Sequence, residues 1–253
     1  MNRLQSMHAA GHVASTLKSA ASAPRQVGTA KFSMVRGSAP CSLFAPLHYE
    51  RNYAYPLLVW LHGPRDSEEQ LKRVMPLVSL RNYVGVGIRG TCASPHGSRE
   101  VYDWSQSPAD MALAEQRLCD GLDAASQRFH VSPSKIFLAG FQSGGTTAFR
   151  LAMSHPERFA GVLSIGGAFP AGQTPLKRLA ESRRLPLFLA CGRDSRRYAP
   201  ERVCDDLRLF HTAGMNVALR QYPCGDELTT LMLSDMDRWM MEQITAARSC
   251  VAS

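Results

Sequence analysis

Acidic residues are missing from the first 49 positions of this 253-residue chain, where the charge is entirely positive. All 21 Asp and Glu lie at or after Glu50, whereas the chain holds 29 Lys and Arg in total. The N-terminal segment therefore supplies five of the eight surplus positive charges, from Arg3, Lys18, Arg25, Lys31 and Arg36. The rest of the chain is close to neutral. This argues against a basic nucleic-acid-binding surface, and we expect no nucleic-acid partner.

Long apolar runs and closely spaced cysteine pairs are lacking as well. The longest apolar run, residues 159–169, is interrupted by glycines and is shorter than the ~18 residues of a membrane-spanning helix, so we expect no membrane span. The seven cysteines include no CxxC pair, and we predict no metal and no other cofactor. Their odd number, without a secretory signal, favours reduced thiols and a cytoplasmic location.

Residues 1–30 are rich in Ala and Ser and poor in bulky apolar residues. Their Arg and Ser content without acids superficially resembles an organellar transit peptide. A segment with so little apolar surface gains too little from burial to offset its ordering entropy, so we favour a basic, disordered leader. Residues 31–253 are then expected to form a single domain, which their length allows.

After the leader, apolar runs of strand length alternate with segments of helical periodicity. The run Tyr55–Leu61 (YPLLVWL) is continuously apolar, which is typical of a strand covered on both faces of its sheet. Ser107 and Pro108 favour a helix start, because serine caps a helix and proline suits its first position. The polar segment 91–107 before them is predicted as a long loop. This alternation predicts an α/β fold with a mostly parallel central sheet and helices on both faces.

The first candidate for chemistry follows the predicted strand Ile136–Ala139. The segment Gly140–Gly144 (GFQSG) holds a serine between glycines, and we interpret it as a G-x-S-x-G nucleophile elbow with Ser143 as the nucleophile. In such an elbow a sharp strand-to-helix turn exposes the serine hydroxyl, and flanking glycines avoid side-chain clashes. The alternative is a glycine-rich turn with a bystander serine.

Two further predicted strand ends carry acidic residues, and ligands of such sheets bind beyond the carboxyl ends of the strands. Asp194 follows the apolar strand Leu185–Ala190, where an elbow hydrolase keeps the acid that orients its histidine. The third end is the segment Tyr222–Leu228 (YPCGDEL), between the last strand and the last helix. We expect both segments to lie near Ser143 at one edge of the sheet.

Together with Leu61–Gly63 after an early strand, these segments resemble the phospholipase/carboxylesterase family of α/β-hydrolases, which includes acyl-protein thioesterases and bacterial carboxylesterases. The resemblance spans about Phe44 to Ile244 and implies an α/β-hydrolase fold for residues 31–253. It also implies a catalytic histidine directly after the glycine of a Tyr-Pro-x-Gly-His segment. In this chain that position holds Asp226, and no histidine follows His211.

The missing histidine weakens the catalytic set that the resemblance implies, Ser143, Asp194 and Asp226. An unperturbed aspartate is a weaker base than histidine by about 2.6 pKa units, or roughly 3.5 kcal/mol. Asp226 would also face Asp194 as a like charge, although two apposed carboxylates can share a proton and thereby raise one pKa. Losing the base of a serine triad costs on the order of a million-fold in turnover.

The implied oxyanion hole departs from the family pattern too. The resemblance assigns one backbone N–H donor to Gly144 and a second to the loop after His62. That loop continues from Gly63 into Pro64, which has no N–H, so Arg65 is the nearest remaining donor. His62 itself is interpreted as a residue that organises the loop rather than as a base.

Other residues near these strand ends have weaker cases. Tyr102, Trp104 and Phe169 are candidates for lining a substrate pocket, although each is as easily ordinary packing. His96 is a candidate for a displaced base, against the more common state of a solvated loop histidine. Cys224 is expected to be a buried structural thiol.

Several functional hypotheses remain open at this point. The favoured one is a hydrolase-fold protein in which hydrolysis is slow or lost and which binds a small ester or lipid-like molecule. The alternative is an active serine hydrolase of carboxylic esters that uses Asp226 or a displaced histidine as its base. A weaker hypothesis is a cation site of oxygen ligands from Asp194, Asp226 and Glu227. The sequence leaves open whether the protein forms a homodimer.

Overall fold

The computed structural model describes residues 31–35, 40–96, 99–172 and 178–251. The predicted leader, residues 1–30, lies outside these ranges. In chain order the strands are β1 (Lys31–Val35), β2 (Cys41–Ala45), β3 (Tyr55–Leu61), β4 (Val84–Ile88), β5 (Cys92–His96), β6 (Arg99–Asp103), β7 (Val131–Phe141), β8 (Gly161–Ile165), β9 (Leu187–Gly192) and β10 (Val217–Tyr222).

Eight of these strands form one sheet in the order β1-β2-β4-β3-β7-β8-β9-β10. The first two strands run antiparallel to their neighbours, and the other six are parallel to one another. Within the sheet, β4 is the neighbour of β3 on one edge, and β7 is its neighbour on the other edge, so the strand order reverses direction at β3. The carboxyl ends of β3 and β7 therefore mark the crevice where such sheets bind ligands.

In the described ranges six α-helices accompany the strands: α1 (Leu71–Val78), α2 (Pro108–Arg128), α3 (Ser143–Ser154), α4 (Leu179–Ser182), α5 (Pro200–Ala213) and α6 (Thr230–Val251). The predicted start of α2 is confirmed, because the Ser107 hydroxyl caps the helix by accepting the N–H of Asp110 and Pro108 takes the first position. Within the described part of the chain, no helix is long and apolar enough to span a membrane.

The core lies in two layers on either side of the sheet. On one face α1 and α6 contribute side chains such as Met75 and Met236, which pack against Trp60 of β3. On the other face α2, α3 and α5 contribute side chains such as Leu118 and Phe149. The predicted arrangement of a mostly parallel sheet with helices on both faces is thus confirmed.

The prediction of a long loop over residues 91–107 is wrong. Strands β5 and β6 pair antiparallel within it as a separate two-stranded sheet. The backbones of Tyr102 and Asp66 also form an isolated antiparallel bridge, which connects this hairpin to the loop after β3. The hairpin escaped prediction because four of the five residues of β5 are exposed, so it lacks the apolar alternation of a half-buried strand.

Candidate functional site

A strained turn joins β7 to α3, and its central residue is Gln142. The backbone of Gln142 has φ 48° and ψ −114°, a conformation that non-glycine residues rarely adopt and that costs on the order of 1–3 kcal/mol. A side chain on Gly140 would overlap the Gly144 backbone, and one on Gly144 would overlap the Leu61 carbonyl oxygen. The two glycines therefore let strand and helix meet closely, as an elbow requires.

Ser143 does not occupy the strained position, which corrects its predicted placement. In G-x-S-x-G the serine comes two residues after the first glycine, and in this chain that residue is Gln142; the serine comes one residue later. Ser143 is the first residue of α3, with ordinary helical backbone beyond the turn. The spacing from Gly140, which reads G-x-x-S-G over residues 140–144, is the signal in the sequence that distinguishes the two positions.

The hydroxyl of Ser143 points toward the β5–β6 hairpin instead. Its Oγ donates a 2.6 Å hydrogen bond to Oδ1 of Asp103, the last residue of β6. The same carboxylate oxygen accepts the backbone N–H of Trp104 at 2.8 Å. Asp103 is not among the predicted site residues, because it lies in the segment 91–107 that the sequence predicts as a loop.

Asp226, in the loop between β10 and α6, is held by three donors. Its Oδ1 accepts the hydroxyl of Ser195 at 2.6 Å and the N–H of Arg197 at 3.1 Å, and its Oδ2 accepts the N–H of Arg196 at 3.3 Å. Burial favours a higher pKa for Asp226, but these hydrogen bonds outweigh it and hold the pKa below its ordinary value. A carboxylate stabilised in this way is a poor proton acceptor.

The predicted pairing of Asp226 with Asp194 is not what the structure contains. The Asp194 side chain is 65% exposed, and its carboxylate lies 3.5 Å from the guanidinium of Arg193. The side chain that donates to Asp226 is that of Ser195, one position later in the chain than Asp194. Two carboxylates sharing a proton therefore do not occur here, because the acid of the β9 loop turns toward solvent.

One further hydrogen bond connects the strained turn to Asp226. The amide nitrogen Nε2 of Gln142 donates to the backbone carbonyl of Asp226 at 2.6 Å. Gln142, Ser195 and Asp226 thus form a linked polar set at the carboxyl ends of β7, β9 and β10. The structure brings three strand ends together as expected, but with two residues that the sequence interpretation did not name.

The predicted oxyanion donors also need revision. With Gln142 on the turn, the N–H that follows it belongs to Ser143, whereas the Gly144 Cα lies against the carbonyls of Leu61 and His62. Arg65 has a positive φ of 58° in the loop after β3, and its side chain points to the hairpin, where Nη2 donates to Nδ1 of His96 at 2.8 Å. His96 is exposed, and its ring nitrogen bonds to Arg65 rather than to Gln142, Ser195 or Asp226.

His62 organises the loop after β3, as interpreted from the sequence. It is fully buried, its Nδ1 lies 2.7 Å from the carbonyl of Gly63, and its Nε2 accepts the N–H of Gly90 at 2.8 Å. Burial lowers the pKa of His62 below its ordinary value. These contacts require the neutral ring with its proton on Nδ1, which leaves no free nitrogen for catalysis.

The aromatic candidates for a substrate pocket are mostly packed. The indole N–H of Trp104 donates to the His62 carbonyl at 2.9 Å, and Trp104 is only 6% exposed. Phe169 lies in the core against Phe149 and Phe210. Both belong to the interior rather than to a pocket wall, because their surfaces are covered by neighbouring side chains.

Tyr102 does line a cavity, of about 880 Å³, beside the loop after β3. Its hydroxyl donates to Glu100 at 2.6 Å, and the guanidinium of Arg89 lies 4.6 Å from its ring centre. Neither Gln142 nor Asp226 is among the lining residues of this cavity.

Neither a reactive thiol nor a metal site emerges near Asp226. Burial raises the pKa of the half-buried Cys224 thiol, and the charges of Glu227 and Asp194 raise it further, so the thiolate is disfavoured. Over the described ranges no group of three or more His, Cys, Asp and Glu converges as a metal site would require. The hypothesis of a cation site therefore gains no support.

No protein-family model matches the sequence. A segment of 120 residues, 46% of this chain, is 34% identical to the protein named "Putative esterase NocK" of Nocardia uniformis subsp. tsuyamanensis. That segment spans only 34% of the length of this curated relative.

Several solved structures are similar over much more of the chain. A carboxylesterase of Bacillus cereus is similar with a TM-score of 0.64 and 16% identity, covering 82% of this chain and 96% of its own. The protein SOBER1 of Arabidopsis thaliana is similar with a TM-score of 0.62 and 16% identity, covering 76% of this chain and 100% of its own. At such identities the likeness establishes the fold alone: the chain has the α/β-hydrolase fold.

Proposed function

We propose that this protein is a hydrolase-fold protein in which ester hydrolysis is slow or lost, and which acts by binding a small ester or lipid-like molecule. The observation that carries the proposal is the glutamine on the strained turn. In an elbow hydrolase this turn presents the nucleophile, and the side-chain amide of Gln142 is not one. Its Nε2 is moreover engaged with the Asp226 carbonyl.

The other two positions of the linked set support the same conclusion. The resemblance implies a histidine base where Asp226 stands and Asp194 as the acid beside it, whereas the side chain that contacts Asp226 is the hydroxyl of Ser195. An aspartate is a weaker base than histidine by about 2.6 pKa units, and the three donors on Asp226 weaken it further. A triad without nucleophile, base or acid retains only the catalysis that binding and an oxyanion hole provide, with a loss on the order of a million-fold.

A second candidate function rests on the 2.6 Å hydrogen bond between Ser143 and Asp103. In an active serine hydrolase built on this pair, Ser143 Oγ would attack the ester carbonyl while its proton moves to the Asp103 carboxylate. The alcohol would leave with that proton, and water would then release the acid from Ser143. This route uses a carboxylate as the general base in place of the usual histidine.

Labelling with a fluorophosphonate probe, mapped by mass spectrometry, separates the two candidates. The intact protein is compared with Ser143→Ala and Asp103→Asn, and hydrolysis of a short-chain nitrophenyl ester is measured beside the labelling. The proposal expects no labelled serine and the same background hydrolysis in all three proteins. Rapid labelling of Ser143, lost with Asp103→Asn and accompanied by turnover, would establish the second candidate and overturn the first.

A further inference from the structure

The base of the β5–β6 hairpin packs directly on the buried ring of His62. We call Gly90, Asp103 and Trp104 the hairpin root, because the chain enters the hairpin after the first and leaves it at the other two. Gly90 donates its N–H to the ring Nε2 of His62 at 2.8 Å, and the indole of Trp104 donates to the His62 carbonyl at 2.9 Å. His62 therefore joins the loop after β3 to both ends of the hairpin.

Gly90 lies between the ring of His62 and the backbone of Asp103. A side chain on Gly90 would come within 2.5 Å of the Asp103 carbonyl oxygen and 2.9 Å of His62 Nε2, so the space between them admits only a glycine. Asp103 in turn accepts the Ser143 hydroxyl at 2.6 Å. A row of contacts therefore runs from the imidazole through Gly90 and Asp103 to Ser143 at the start of α3.

This packing fits only the neutral form of the His62 ring. Nε2 accepts the N–H of Gly90, and the proton on Nδ1 is directed to the Gly63 carbonyl at 2.7 Å. Protonation places a second N–H on Nε2, so that two donors face each other at hydrogen-bond distance. The hydrogen bond is then replaced by repulsion, and the N–H of the buried Gly90 loses its acceptor.

Charged groups on the neighbouring elements act on the ring in opposite directions. Burial lowers the pKa of His62 below its ordinary value, and three carboxylates offset part of this effect. They belong to the loop after β3, the short turn before α1 and the hairpin root: Asp66, Glu68 and Asp103. The guanidinium of Arg117, on α2, donates to the Gly90 carbonyl. That of Arg89 pairs with Glu68. The ring is therefore neutral near pH 7 and gains its proton below the ordinary histidine pKa of about 6.5.

We propose that protonation of His62 detaches the hairpin root from the loop after β3 and frees the Ser143 hydroxyl from Asp103. Near neutral pH the hydroxyl is engaged, and in mild acid it is available at the carboxyl end of β7. The N–H groups that leave His62 then bond to water. This device is independent of whether the protein hydrolyses esters, because it concerns hydrogen bonds and not turnover.

Nuclear magnetic resonance of the full chain between pH 7.5 and 5 tests the proposal with an internal control. The nitrogen-15 shift of His62 Nε2 reports protonation, and hydrogen exchange of the Gly90 amide and the Trp104 indole reports release. The control is Trp60, whose buried indole donates to Gln70 at 2.8 Å. As the ring protonates, exchange at the two root groups should accelerate by up to about tenfold per pH unit beyond the intrinsic dependence, until protection is lost. Trp60 should stay protected, and the helix content measured by circular dichroism should not change.

Three results of this titration would overturn the proposal. They are a His62 ring still neutral at pH 5, a protonated ring with the Trp104 indole still protected, and an equal loss of protection at Trp60, which would indicate unfolding of the whole domain. The variant His62→Gln keeps an acceptor oxygen that does not titrate in this range, so its Trp104 protection should not depend on pH after the same correction. The wild-type titration decides the question even if this variant does not fold.

Variants at the two ends of α3 test the connection to Ser143. Ser143→Ala removes the hydrogen bond to Asp103 and should make the Trp104 indole exchange about tenfold faster at pH 7.5. Ser154→Ala is the matched control, because its hydroxyl donates to the Arg150 carbonyl at the other end of the helix, and it should leave this exchange unchanged. Equal exchange in Ser143→Ala and the wild type would show that Ser143 does not hold the hairpin root.

Discussion

The hydroxyl of Ser195 donates a 2.6 Å hydrogen bond to the carboxylate of Asp226, and this contact joins the loop after β9 to the loop after β10. The backbone N–H groups of Arg196 and Arg197 donate two further hydrogen bonds to the same carboxylate. Where an esterase would need a mobile proton, this chain has an anion fixed by three donors. The contact thus connects the stability of the two loops with the proposed loss of hydrolysis.

Replacement of Asp226 by asparagine tests how much these three hydrogen bonds to the carboxylate stabilise the fold. Asp226 has a lowered pKa in the folded state, so its contribution to stability is complete above the ordinary carboxyl pKa of about 4 and is lost as the pH falls through the folded value. We expect Asp226→Asn to lower the free energy of unfolding by about 1–3 kcal/mol at pH 7, and the difference to shrink toward pH 3. Chemical denaturation across this pH range measures it.

The neighbouring carboxylate provides the control for that experiment. Asp194 is 65% exposed and pairs only loosely with Arg193, so Asp194→Asn should change stability by less than about 0.5 kcal/mol. An effect of Asp194→Asn as large as that of Asp226→Asn would contradict the view that hydrogen bonds to Asp226 stabilise the fold, whereas the exposed Asp194 contributes little.

Substitutions at Gln142 test the strain in the turn. Gln142→Ala and Gln142→Gly both remove the hydrogen bond to the Asp226 carbonyl, so their difference reports the backbone alone. Because φ is positive, glycine should be more stable than alanine by about 1 kcal/mol, the reverse of the usual order in regular structure. The measurement is the free energy of unfolding, and an alanine variant equal to or more stable than glycine would show that the turn is unstrained.

His62 is expected to make stability depend on pH below neutrality. Its folded-state pKa is lowered by burial, so the unfolded chain binds the proton more readily, and the contribution is complete above about pH 6.5 and lost as the pH falls. From pH 7 to 5 the wild type should lose stability at up to ~1.4 kcal/mol per pH unit from this group, and His62→Gln should show a smaller slope. The exposed His211→Gln should keep the wild-type slope, and a shared slope in all three proteins would exclude His62 as the cause.

The order of strands and helices was predictable because it rests on local patterns. Tyr55–Leu61 is a strand with the predicted bounds, and the cap at Ser107 starts α2 as expected. The chemistry of the site was less predictable, because it depends on spacing and on tertiary contacts. The turn is centred on Gln142, one residue before the predicted Ser143. The partner of Asp226 is Ser195, one residue after the predicted Asp194.

Contacts between distant segments could not be read from the sequence at all. The approach of Asp103 to Ser143 requires the β5–β6 hairpin, which carries too few apolar residues to be recognised. The contact of Arg65 with His96 depends on the same hairpin and on the positive φ at Arg65. Such positions become visible only after the segments are placed in space.

We propose that positions 142, 195 and 226 correspond to the nucleophile, acid and base of a catalytic triad that this chain does not have. The most direct test is the initial rate of nitrophenyl acetate hydrolysis by the wild type, by Asp226→His and by the triple variant Gln142→Ser, Ser195→Asp, Asp226→His. We predict background rates for the first two, because neither has a nucleophile on the turn, and a rate above background with probe labelling at position 142 for the triple variant. Wild-type turnover that disappears with Ser143→Ala would contradict the account.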